Sequence, residues 1–129
     1  RELGITPLAR ILSTGVSGLS PEIMGMGPVE ASRRALARAG MTIDDVDLYE
    51  INEAFAVQVL GSADDLGMDF DKLNVHGGAI ALGHPFGSTG TRIMTTLLNG
   101  LQARDGSIGL ETMCVGGGQG MAIVVERLS

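Results

Sequence analysis

The sequence predicts a single α/β domain spanning residues 1–129, built in the order βαβαβαββ as a mixed five-stranded sheet with helices on both faces. Three observations carry that prediction. Of the 129 residues 44% are hydrophobic and only 3% aromatic, with 20 glycines, so the core must be small aliphatic side chains packed in close layers. Segments with the two-residue period of strands alternate with segments of helical period over short connections. Near the C-terminus, two apolar runs are joined only by Gly116-Gly117-Gly118-Gln119-Gly120, too tight for anything but an antiparallel pair.

Taken in order, Leu8 to Val16 is apolar with interleaved Arg10 and Ser13 and predicts the first strand. Gly15 to Gly27 is rich in Gly and Met and predicts a loop. Pro28 suits the first turn of a helix, Ala31, Ala35, Leu36 and Ala39 give it an apolar face, and Gly40 ends it. Val46 to Ile51 alternates as a strand. Asn52 is placed as the N-cap of a second helix, with Phe55, Val59, Ala63 and Leu66 at helical spacing and Gly67 as its stop. Asp69 to Asn74 predicts a short turn, and the Gly-rich stretch from Val75 to Gly90, which holds both histidines, is a short strand or loop that would supply the fifth strand. Ile93, Leu97, Leu98 and Leu101 mark one face of a third helix. Ile108, Leu110, Thr112 and Cys114 share one parity of a strand, and Met121 to Leu128 forms the last. The short early connections predict right-handed crossovers and mostly parallel pairing.

Bulk properties exclude several classes of function. A net charge of -6 with a single Lys offers no basic stripe for a phosphate backbone, so nucleic acid is not an expected partner. One cysteine excludes an internal disulfide framework and paired zinc motifs; a reducing, cytoplasmic setting is expected, with an organelle left open. No apolar run is long enough to cross a bilayer, and no membrane partner is expected. The chain starts at Arg1 and reads as a cut piece of a longer protein. Dinucleotide, P-loop and zinc-protease fingerprints are missing, and no metal site is expected.

Five positions are candidates for chemistry. Cys114 alone would read as a small core residue, but it ends a strand just before glycines whose N–H groups are unshielded, a setting for proton transfer beside oxyanion donors. Its thiol is open to being moved toward neutrality by neighbours. His84, in Gly83-His84-Pro85, sits in a rigid irregular segment before a helix and is either a bonded loop histidine or a catalytic one. His76 has no second feature and reads as structural. Asn52 is a helix cap whose amide would also point where open α/β sheets bind ligands, and Glu53 beside it serves the helix dipole.

Read together, Asn52-Glu53-Ala54-Phe55-Ala56, the run from Gly77 to Pro85 with Gly87 and Gly90, and Cys114-Val115-Gly116-Gly117-Gly118 closely resemble the C-terminal half of thiolases. Ketoacyl synthases and sterol-carrier thiolase-like proteins differ around the histidine or lack the Cys-x-Gly-Gly-Gly run. The resemblance implies that His84 activates a nucleophilic cysteine and binds the thioester oxygen together with a water held by Asn52. It implies that Cys114 moves the proton on the substrate α-carbon, that the Gly116 amide serves a second oxyanion hole, and that Ala54 and Phe55 line the pantetheine end of the pocket. His76 stands where other members often have Asn.

The resemblance further implies acyl-CoA and CoA as substrates, with coenzyme A a substrate and no separate cofactor. The partner is an N-terminal thiolase half carrying the nucleophile, in a homo-oligomer. The isolated chain is then expected to be inactive, the alternative being a noncatalytic thiolase-like domain or subunit. Parting the halves is expected to expose the apolar face of Ile93, Leu97 and Leu101 and to drive self-association.

Overall fold

The computed structural model describes residues 3–129. Strands β1 (Ala9–Gly18), β2 (Leu48–Ile51), β3 (Ile108–Val115) and β4 (Gln119–Arg127) form one sheet in the order β1-β4-β3-β2. The β2–β3 ladder is parallel and the other two are antiparallel. The sheet is mixed, as expected, but the expectation of mostly parallel pairing fails. The glycine-linked β4 folds back beside β3 and takes the place between β3 and β1 that a parallel neighbour would have filled.

Helices α1 (Gly27–Ala39) and α2 (Ala56–Leu66) enclose the main core around Val29, Ala35, Ile51, Leu110 and Val124. After the single-turn helix α3 (Ala79–Leu82), helix α4 (Thr89–Ala103) covers part of the other face, packing Leu97 and Leu101 on Leu48 and Val125. Pro28 lies in the first turn of α1, and Gly40 ends it in the left-handed region at φ 68°. Two features depart from the sequence reading here. The first strand runs on to Gly18, and the loop after it contains a 3-10 turn from Pro21 to Met26.

The expected fifth strand is reduced to one parallel bridge, Tyr49↔Leu73. A 3-10 turn at Phe70–Lys72 precedes it, and Asn74 adopts φ 45°, which turns the chain out of the ladder. The Asn74 side chain then does the work of a strand. Its Oδ1 accepts the Ile51 N–H at 2.9 Å and its Nδ2 donates to the Ile51 carbonyl at 3.0 Å. Asn74→Ala leaves both groups of a residue only 1% exposed without partners, and is expected to cost about 2–4 kcal/mol. A urea midpoint within error of the parent would contradict this.

The expected apolar face on α4 is also corrected. Ile93, Leu97 and Leu101 are 0%, 1% and 0% exposed, because this chain's own sheet buries them. The exposed apolar side chains lie elsewhere: Ile11, Val16 and Met121 on β1 and β4, Val57 in the first turn of α2, and Phe55 and Phe86 in the loops. No helix among the described residues is long and apolar enough to cross a membrane.

Candidate active site

Register places the first two site residues. Strands β2 and β3 run parallel with Ile51 opposite Thr112, and the Asn52 N–H donates to the Thr112 carbonyl at 3.0 Å. Asn52 and Cys114 therefore leave the same edge of the sheet, at the carboxyl ends of parallel strands where open α/β sheets bind ligands. A slip of one residue would turn Cys114 to the other face.

Asn52 does not cap α2, contrary to the sequence expectation. The helix starts at Ala56 after Phe55 in extended conformation, so residues 52–55 form a connection and the Asn52 amide is free for another task. Asn52 is fully buried and its Nδ2 lies 3.2 Å from His84 Nε2. On the other side of the ring, Nδ1 lies 2.7 Å from Thr89 Oγ1, whose hydroxyl donates to the Pro85 carbonyl at 3.1 Å. Because Thr89 spends its proton on Pro85, it accepts from Nδ1–H. Neutral His84 then carries its proton on Nδ1 and presents the Nε2 lone pair to the Asn52 amide. Nε2 is thus the basic nitrogen of the site.

A cleft of about 480 Å³ opens beside this ring, bordered by His84, Cys114, Gly116, Ala54 and Phe55, with Met24, Phe86 and Met113 adding apolar surface. Phe86 meets His84 edge-on, with ring centres 5.1 Å apart. Cys114 is buried, and burial pushes its thiol up from the ordinary value, only partly opposed by its own backbone hydrogen bond. The sequence reading allowed a shift toward neutrality; the apolar setting drives the opposite one and keeps the thiol protonated. Gly116 opens the β3–β4 turn, and Gly117 and Gly118 complete it at φ 87° each, where any other residue would be strained.

The fold thus gathers five predicted residues around one cleft with Asn52 behind the histidine. His76 is exposed and lies along α4 beside Thr95 and Asn99, outside the residues that border this cleft. Thr89 was missed by sequence reasoning, although a hydroxyl at the helix start after Gly-His-Pro is a signal that could have found it. Met24 and Phe86 carry no such signal. Among the described residues no cluster of His, Cys, Asp or Glu could hold a metal ion.

A layered α/β domain that brings a histidine with a defined tautomer, a buried thiol and a glycine turn to one sheet edge has the parts of an acid/base site. The chain belongs to the thiolase family: the family's C-terminal domain matches residues 5–127. It is 57% identical over 126 residues to an acetyl-CoA acetyltransferase of Escherichia coli (strain K12), covering 98% of this chain and 32% of that protein. It is 56% identical over 130 residues to a 3-ketoacyl-CoA thiolase of Marinomonas sp. (strain MWYL1), covering 98% and 33%. The crystal structure of human mitochondrial 3-ketoacyl-CoA thiolase superposes with a TM-score of 0.96 at 48% identity, over 99% of this chain and 32% of that one. The chain therefore spans about a third of the length of the relatives it matches.

Proposed function

We propose that this chain is the C-terminal part of an acyltransferase that interconverts a 3-ketoacyl-CoA plus CoA with acetyl-CoA and a shortened acyl-CoA. The observation that carries this reading is the Asn52–His84–Thr89 chain of hydrogen bonds beside the cleft that also holds Cys114. Carbon–carbon bond exchange next to a thioester passes through an enolate, which a neutral-pH site reaches with fixed donors for the developing charge and an acid/base group at carbon. His84 Nε2 is placed to take the proton of a nucleophilic thiol, and Asn52 to hold a water at the thioester oxygen. Cys114, protonated by its burial, gives its proton to the enolate carbon in thiolysis and becomes the thiolate; in condensation that thiolate takes the α-proton back. The Gly116 N–H is the donor for the second oxyanion, while Ala54 and Phe55 border the path of the pantetheine arm.

The nucleophile, the contacts to the CoA phosphates and the subunit contacts of a homo-oligomer are assigned to the rest of the protein. Phe55 and Phe86, 67% and 88% exposed on the rim of the cleft, support a site that is completed from outside this chain. The purified chain alone is expected neither to form an acyl-enzyme nor to cleave acetoacetyl-CoA. Steady thiolysis by the isolated chain, lost in Cys114→Ala, would make Cys114 the nucleophile and overturn this assignment.

A further inference from the structure

Glu53 follows Asn52 in the chain, yet its carboxylate reaches across to a loop some 25 residues on. Oε2 accepts the Ile80 backbone N–H at 2.9 Å, and Oε1 accepts the Asn74 side-chain amide at 3.0 Å. Asn74 is itself bonded to both backbone groups of Ile51 and, through its own N–H, to the Tyr49 carbonyl at 2.9 Å. The carboxylate thus closes a circuit from β2 through Asn74 to Ile80. Ile80 lies in the short helix α3 (Ala79–Leu82), and only Gly83 separates that helix from His84. On the near side of the loop, a Cβ at Gly78 would run into the Glu53 carboxylate, so the backbone there lies directly against it. The helix-dipole role expected for Glu53 does not explain these contacts, since α2 begins three residues later and the group turns to α3 instead.

We propose that Glu53 is a positioning residue for the His84 site: its carboxylate holds the His84 loop on β2 and so sets the 3.2 Å spacing between Asn52 and His84. Both partners of the carboxylate are N–H donors, and a group with two acceptor oxygens and no donor is what satisfies them together. A glutamine of the same size turns an NH2 toward one of them. The loop then loses one of its two bonds, and the Asn52 amide loses its fixed approach to Nε2.

The proposal rests on reading Nε2 of His84 as the base of the site, so its test has a readout that needs no turnover. In the intact protein containing this chain, Glu53→Gln and Gly78→Ala disturb the same contact from opposite sides. The rate of His84 carbethoxylation by diethylpyrocarbonate, followed by peptide mass spectrometry, reports how freely Nε2 is offered. Each variant is expected to raise that rate about threefold or more, with the double variant adding little to either one. For acetoacetyl-CoA thiolysis, kcat should fall more than KM rises. Val125→Ala, buried at the other end of the sheet and outside the circuit, should lower thermal stability and leave the His84 rate at the parent value. Wild-type His84 reactivity in Glu53→Gln, or a change that merely tracks lost stability as Val125→Ala does, overturns the proposal. A faster His84 reaction in Glu53→Gln, where the parent protein itself thiolyses neither acetoacetyl-CoA nor a longer 3-ketoacyl-CoA, supports the positioning role and sinks the acyltransferase reading.

Discussion

On the acyltransferase proposed above, Cys114→Ala in the intact protein is expected to slow condensation and thiolysis by about 10²–10⁴-fold while still permitting acylation from a thioester. His84→Ala is expected to impair both steps. The distinction follows from where each group stands. Cys114 is a buried thiol whose proton burial retains, which suits it to exchange with carbon and not to attack a carbonyl as a thiolate. His84 borders the cleft with Nδ1–H held by Thr89 and Nε2 against the Asn52 amide, so Nε2 is the nitrogen that can relieve a thiol of its proton before acylation. Trapping with a radiolabelled acyl-CoA separates the two: labelled enzyme should accumulate in Cys114→Ala and not in His84→Ala. Equal trapping in both variants would remove the division of roles.

Much of this site was legible in the sequence because three short motifs carry it and each is tied to a backbone need. Gly40 and Gly67 were read as helix stops and both are left-handed at φ 68° and 69°. The parity of β3 placed Cys114 correctly. The misreadings share a different physical origin, since they depend on side chains that replace backbone interactions. Asn52 was given to a helix because its residue type favours caps, whereas the structure uses its amide on His84. The fifth strand was expected as backbone pairing, and Asn74 supplies that pairing with its amide. Helical spacing in Ile93, Leu97 and Leu101 showed that one face of α4 is apolar, but not which layer would cover it. Periodicity identifies a face; only tertiary packing names its partner.

The stability of the chain is expected to fall as pH rises from about 5 to about 8, by on the order of 3 kcal/mol. Glu50 and Glu111 are directly opposite each other in the parallel β2–β3 ladder and are 2% and 5% exposed. Burial pushes Glu50 up to about 8, with Arg92 pulling it down and the charges of Glu53 and Glu111 adding to the rise. Burial alone pushes Glu111 up to about 7. Both ionise near 4.3 in the unfolded chain. Between that value and the folded ones, the native state keeps protons that the unfolded state has released, so each pH unit favours unfolding; above about 8 the loss is complete. The expected figure is well under the full sum of the two shifts, because Glu111 borders a cleft on the uncovered part of the sheet through which water can reach it. Glu50→Gln and Glu111→Gln remove the ionisation without changing shape, and each should flatten the profile and make the chain more stable than the parent at pH 8. Urea unfolding at pH 5, 6, 7 and 8 measures this. A parent profile that is flat or rises across that range, or Gln variants that keep the parent slope, would show that these two carboxyls do not retain their protons in the folded chain.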